Sequence, residues 1–204
     1  MNIFFLDCDA EKNAMLYHDA HVRKIIVEIA QMLSTAHSLL DSNEKNKAKL
    51  YKPTHANHPM TKWVRESRGN YCYTLEILKQ LCKEFEYRFD KKHKTSELIP
   101  YLSNIPRGLM NPMHTCSNII WNTTPPLCMP EKYKCYDFIQ AYRRYYIGEK
   151  QYDKNGKPHK WTKRDKPKFI LNAEKDAKSI LENAKEFLQN RIIKQEMKKW
   201  NKLI

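Results

Sequence analysis

Glycine is scarce in this chain, with four among 204 residues. That scarcity disfavours Gly-rich phosphate loops and β-sandwiches, whose tight turns use left-handed backbone. No GxxxxGK[ST], GxGxxG or GxSxG motif occurs, so P-loop NTPase, dinucleotide-binding and α/β-hydrolase readings have no support. None of the six cysteines (Cys8, Cys72, Cys82, Cys116, Cys128 and Cys135) falls in a CxxC pair, which argues against a zinc ribbon. Long apolar runs are missing too. No stretch approaches the roughly 20 residues of a membrane span, and Asn2–Leu6 is too short for a signal segment before Asp7 and Asp9 end it. The expectation is a soluble, cytoplasmic protein with free thiols and no membrane association.

Positive charge, by contrast, is abundant. The formal net charge is +14. Residues 131–168 carry twelve Lys/Arg against five acids, and residues 172–204 carry eight against five. A basic block of that density attracts phosphate over long range and through counterion release. Because Tyr and Trp are interleaved with the cations, DNA, another nucleic acid or a nucleotide is the expected partner. A basic face that meets acidic protein, or that only confers solubility, is the plainer reading.

Apolar spacing predicts a mainly α fold, a compact helical domain. Asn2–Leu6 reads as a short buried strand, and about Asp9 to Leu40 as one long helix with Val22, Ile25, Ile26, Ile29, Met32 and Leu33 on its inner face. A second long helix is expected from Pro59, burying Tyr71, Leu75, Leu78, Leu81 and Phe85, with Gly69 able to bend or interrupt it. A shorter helix over Ser96–Ser103 follows. Residues 104–130 hold five prolines and predict a long irregular surface loop. A helix over Asp137–Gly148, a hairpin-like basic arm over Tyr152–Lys168 and an amphipathic C-terminal helix from Asn172 complete the chain. The domain reading is 1–168 as the helical nucleic-acid-acting part. Residues 169–204 read as an extension, with 172–204 able to take a protein partner.

The first long helix carries the candidate chemistry. His21, Lys24, Glu28, Gln31 and Thr35 fall within a stripe about 80° wide at 100° per residue, bordering the apolar face, with His18 one turn earlier. Half-buried ionisable groups beside opposite charge are how a protein tunes a Lys or Glu for proton transfer or nucleophilic attack. The plainer reading is a solvated face with a Lys24–Glu28 pair. His55 and His58 add a second HxxH before Pro59. With His18 and His21 they offer four histidines that could meet, and three or four would suit zinc. Neither pair has the HExxH form and no Asp, Glu or Cys follows at a metal-site spacing, so no metal and no cofactor is the expectation, and these loop histidines read as caps or phosphate contacts. Trp63, Arg65, Arg68, Tyr71 and Tyr73 can stack on a base and hold its phosphates, or can be core residues with solvated arginines. In AYRRYYIGEK and KWTKR, Arg143, Arg144, Lys150, Lys160, Lys163 and Arg164 read as phosphate contacts. Tyr145, Tyr146 and Trp161 there read as packing or stacking rings.

The runs LYHDAHVRKIIVEIAQMLSTAH, LYKPTHANHPMTKWVRESRGNY and AYRRYYIGEK…WTKR resemble a family of small, uncharacterised phage-type proteins over most of residues 1–168. More distantly, the layout resembles the pyrimidine-dimer DNA glycosylases of the endonuclease V type. That resemblance implies excision of a damaged or modified base by an amine nucleophile, in host cytoplasm if the chain is phage-encoded. Glu28 would be the assisting carboxylate, with His18, His21, Arg23 and Lys24 as its polar shell. The chain departs from that family in two ways. Asn2 is a poor residue to expose by removal of Met1, and the His18-to-Glu28 spacing is longer than the family's. Lys24 can stand in for the terminal amine. A base-excision glycosylase or glycosylase/lyase active in DNA repair or modification is thus the first expectation. A non-catalytic phage factor that binds nucleic acid or a nucleotide is the alternative.

Overall fold

A computed structural model of the chain describes residues 1–41, 48–110 and 121–200, with side chains described to residue 186 and at 188 and 189. It is mainly helical, 61% helix, with seven helices and no strands among the described residues. These are α1 (Ala10–Leu16), α2 (Asp19–Leu40), α3 (Pro59–Val64), α4 (Arg68–Phe89), α5 (Ile99–Leu102), α6 (Phe138–Glu149) and α7 (Lys168–Trp200). No helix is long and apolar enough to cross a membrane among the described residues. Two compact units result, Met1–Asp165 and Lys166–Ile204.

In the first unit α4 packs against α1 and α2, and α2 also packs against α3. The predicted inner face of α2 is fully buried at Val22, Ile25, Ile26, Ile29, Met32 and Leu33. The single helix expected over 9–40 is broken, because Tyr17 and His18 are extended and His18 caps α2 with its side chain. The expected second helix is also interrupted, before Gly69, where Arg65–Ser67 leave the helix and Ser67 caps α4. The Ser96–Ser103 helix resolves into a 3₁₀ turn (Lys94–Leu98) followed by α5.

The predicted N-terminal strand does not form. Asn2–Leu6 is buried at Ile3, Phe4, Phe5 and Leu6, yet it has no partner strand. Its backbone groups are satisfied by side chains instead, as burial demands. The Tyr17 hydroxyl donates to the Phe4 carbonyl at 2.6 Å and accepts from the Phe4 N–H at 2.8 Å. Asn13 Oδ1 accepts from Leu6 N–H at 2.7 Å, and Arg143 Nε donates to the Leu6 carbonyl at 2.8 Å. A one-sided ladder of side chains thus replaces a sheet edge.

The expected surface loop over 104–130 falls partly on residues 111–120, outside the described residues, as does Cys116. Its flanks are not a loose wrap. Arg107–Leu109 form a 3₁₀ turn, and Leu109 and Met129 are buried. Asn70 Oδ1 accepts from the backbone N–H of Asn122 and Thr123, at 2.9 and 3.3 Å. Residues 42–47 likewise lie outside the described residues. No disulfide joins the described cysteines. The basic arm turns at Gly156 (φ 78°), with an isolated antiparallel bridge between Tyr152 and Pro158. In the second unit, α7 exposes Ile180, Leu181 and Leu188.

Candidate functional site

The stripe on α2 splits into three parts with different jobs. At its centre, Glu28 is 13% exposed, and its Oε2 accepts the Asn2 backbone N–H at 2.8 Å. The Met1 amine nitrogen lies 3.7 Å from the same oxygen, and Lys24 Nζ lies 3.4 Å from Oε1. Lys24 is 70% exposed, so this ion pair alone is worth at most a few tenths of a kcal/mol. Its significance is positional: a shielded carboxylate holds amine nitrogen on either side. Asn2 is fixed in turn, donating through Nδ2 to the Cys128 carbonyl at 2.9 Å and accepting from the Tyr142 hydroxyl at 3.3 Å. His58 caps α3, and its basicity is lowered by burial and then by the nearby Met1 amine and His55, with Glu28 opposing them.

N-terminal to that centre, the rings form a column. His21 stacks on Phe4 at 4.5 Å, His18 on His21 at 3.9 Å, and His159 of the arm on His18 at 3.8 Å. The Tyr146 hydroxyl accepts the His18 backbone N–H at 3.0 Å and bonds His21 Nδ1 at 3.1 Å. Burial pushes the His18 and His21 pKa values down, His21 to about 3, with neighbouring charges including Lys150 pushing the same way. Both imidazoles are therefore neutral at ordinary pH. C-terminal to Glu28, Thr35 is buried and structural, exchanging hydrogen bonds with the Thr54 backbone at 3.1 and 3.2 Å.

The predicted nucleic-acid contacts divide sharply by burial. Trp63, Tyr71 and Trp161 are core residues, which corrects their reading as stacking platforms. Trp63 Nε1 donates to the Thr123 carbonyl, the Tyr71 hydroxyl to that of Leu102, and Trp161 Nε1 to that of Leu16. Arg164 is also withdrawn, forked onto Glu84 at 2.8 and 3.0 Å, and Lys163 is bound to both Asp90 oxygens at 2.7 Å. Arg143 supports Leu6 and faces Asp7 at 3.8 Å. Arg23 lies over the Phe89 ring, 4.3 Å from its centroid, rather than beside Glu28. Arg65 is half-buried, with Nη1 lacking a hydrogen-bond partner. His55 is exposed and held at φ 49°, its Nδ1 bonded to Thr54 Oγ1 at 2.7 Å. Arg144 and Lys160 are exposed, and Tyr145 and Lys150 are half-buried, with Lys150 Nζ 4.6 Å from the Tyr145 ring centroid.

No family model, curated protein or solved structure matches the chain.

Sequence reasoning missed Asn2, His159 and Tyr133. Asn2 gave no signal beyond its place beside a hydrophobic run, and His159 stands 141 residues from its stacking partner. Tyr133 packs against Gly148, where an added Cβ would lie 2.4 Å from its hydroxyl. The Tyr133 ring in turn sits 5.4 Å from Tyr145. Gly148→Ala is expected to displace Tyr133 and cost at most about 1 kcal/mol, because Gly148 is exposed, Tyr133 is half-buried and alanine's helix propensity offsets part of the clash, read by chemical denaturation. An unchanged unfolding midpoint would show that Tyr133 moves aside without strain.

Proposed function

We propose that the chain is a DNA-acting enzyme of the base-excision type, a glycosylase or glycosylase/lyase acting on a damaged or modified base. One observation supports this reading: amine nitrogens of Met1 and Lys24 flank the shielded Glu28 carboxylate. An amine nitrogen beside a carboxylate suits attack at the sugar C1′. The ammonium first passes a proton to Glu28 and so frees its lone pair. The C1′–base bond breaks as the C1′–N bond forms, and the base leaves with its electron pair and takes up the proton from Glu28. Glu28 accepts the amine proton and steadies positive charge on the sugar. Arg144, Lys150 and Lys160 supply a cationic surface for the strand, and the target base has to leave its stack to be reached. This is the activity implied by the resemblance to the endonuclease V type glycosylases.

Borohydride trapping on duplexes that carry damaged and modified bases tests the proposal. A covalent adduct is expected, and peptide mapping of it should land on Lys24 or on the Met1 amine. Glu28→Gln should lower the trapping rate about 100-fold or more. Absence of both adduct and base release across the panel would sink the proposal.

A non-catalytic nucleic-acid or nucleotide binder is the second reading, favoured by open cations that do not depend on Glu28. It predicts that Glu28→Gln keeps full affinity while Arg144→Glu with Lys150→Glu removes it. Arg144 is the better test residue than Arg143, whose guanidinium holds the Leu6 carbonyl.

A further inference from the structure

A cleft of about 300 Å³ lies between the second half of α4 and the turn that leads into α5, and it takes no part in the reading of Glu28. Its inner wall includes Cys82, His93 and Ile99, and its rim carries Lys79, Lys83 and Lys92. The wall is apolar for identifiable reasons. Burial pushes the Cys82 thiol up to about 12, so the sulfur stays protonated. The His93 ring accepts the Thr95 N–H at 3.2 Å through Nδ1 and also bonds the Arg23 carbonyl. Burial lowers the basicity of the imidazole, and its ring, edge-to-face with Phe85 at 4.8 Å, adds carbon surface to the wall.

The rim has the opposite character. Lys83 and Lys92 are exposed and have no ion-pair partner among the described residues, while Lys79 pairs with Glu76 at 3.7 Å. Glu86 is the one acid on the cleft lining, against three lysines. Ammonium groups gathered at an open mouth repel one another, and an anion there relieves that repulsion. The volume lies at the lower end of small-molecule sites. An apolar wall with a cationic mouth fits a ligand with a flat ring at one end and an anionic group at the other. A sugar phosphate would leave its hydroxyls against carbon and sulfur, and inorganic phosphate would leave the wall bare.

We propose that this cleft binds a nucleoside monophosphate, with the base against Ile99 and His93 and the phosphate between Lys83 and Lys92. The ligand can be a free nucleotide or the phosphorylated end of a strand, since the recognised chemistry is the same.

Titration of the isotopically labelled full chain with dAMP, followed by NMR, tests the assignment. Saturable shifts confined to residues 79–99 are expected, with inorganic phosphate binding roughly tenfold more weakly or worse. Lys83→Glu with Lys92→Glu should weaken dAMP at least roughly tenfold. Both side chains are exposed, so these variants are expected to fold. Ile99→Trp fills the cleft and should block dAMP. A 5′-phosphorylated oligonucleotide that competes with dAMP, where its unphosphorylated form does not, identifies a strand end as the source. Failure of either form to compete identifies the free nucleotide. Shifts that map elsewhere, equal affinity for phosphate, or indifference to the lysine reversals would overturn the proposal. Glu28→Gln is expected to leave dAMP affinity unchanged, so failure of the base-excision reading and failure here are read separately.

Discussion

Arg88→Ala is expected to lower the unfolding free energy by about 3–5 kcal/mol. The Arg88 side chain is fully buried, and its guanidinium is spent entirely on internal partners. Nε donates to Glu84 Oε1 at 2.6 Å, Nη1 to Asp19 Oδ1 at 3.0 Å and to the Tyr17 carbonyl at 2.8 Å, and Nη2 to the Met15 carbonyl at 3.0 Å. Two of these acceptors lie at the end of α1 and at the break before α2, where helix geometry leaves carbonyls without donors. Alanine would orphan them and also leave a cavity. Glu84 would keep its fork to Arg164, which limits but does not remove the cost. Urea unfolding measures the effect, and a loss below about 1 kcal/mol would contradict it. Arg88→Met fills the space without restoring donors, so it should recover only the packing part.

This network shows where the sequence stops being legible. The inner face of α2 could be read because 3.6-residue periodicity is local, and Val22 to Leu33 are buried as that period requires. The cations of KWTKR read as free because their counter-charges are distant in the chain. Arg164 meets Glu84 and Lys163 meets Asp90, and Asp19 accepts from the backbone N–H and hydroxyl of Thr162 at 3.0 and 2.6 Å. Density of charge in a window cannot reveal such pairing. Composition likewise could not separate a stacking ring from a core ring. Trp63, Tyr71 and Trp161 each have one polar atom satisfied by a backbone carbonyl, the usual arrangement for a buried Trp or Tyr.

At the candidate site the Lys24–Glu28 pair was legible from its i,i+4 spacing, whereas its setting was not. The strand assigned to Asn2–Leu6 rested on an apolar run, which cannot tell a ladder partner from a set of side-chain acceptors and donors. Because Asn13, Tyr17 and Arg143 supply those groups, the segment ends against α2 and brings the Asn2 N–H to Glu28. The six residues His18, His21, Lys24, Glu28, His55 and His58 do not share one cluster. Glu28, Lys24 and His58 gather near Met1, while His18 and His21 belong to the ring column beside the arm.

That column makes the second large effect one of pH. Stability is expected to be flat above about pH 7 and to fall as the pH drops below about 6.5, the ordinary histidine value. The sign follows from burial. His18 and His21 have lowered pKa values in the fold, so the unfolded chain takes up protons first and acid favours it. Each contributes a slope of about 1.4 kcal/mol per pH unit once the unfolded histidine is mostly protonated. The His21 contribution saturates near its folded value of about 3. Geometry gives the same answer for His18. Its Nδ1 accepts the His21 N–H at 3.3 Å, so the neutral ring already carries its proton on Nε2 and a second proton has to go to Nδ1, where it breaks the helix cap. His37, His58 and His93 are lowered too and act in the same direction. Glu84, held low by Arg164 and Arg88 against its burial, adds loss only below its usual carboxylate range, so measurements above about pH 4.5 isolate the histidines. His18→Asn keeps an oxygen that can cap α2 and removes the titrating ring, so it should flatten the slope by about one proton. Urea denaturation between about pH 7.5 and 5 reads both effects. A stability that stays level across that interval, or a His18→Asn slope equal to the parent's, would mean that the column takes up protons without being disturbed.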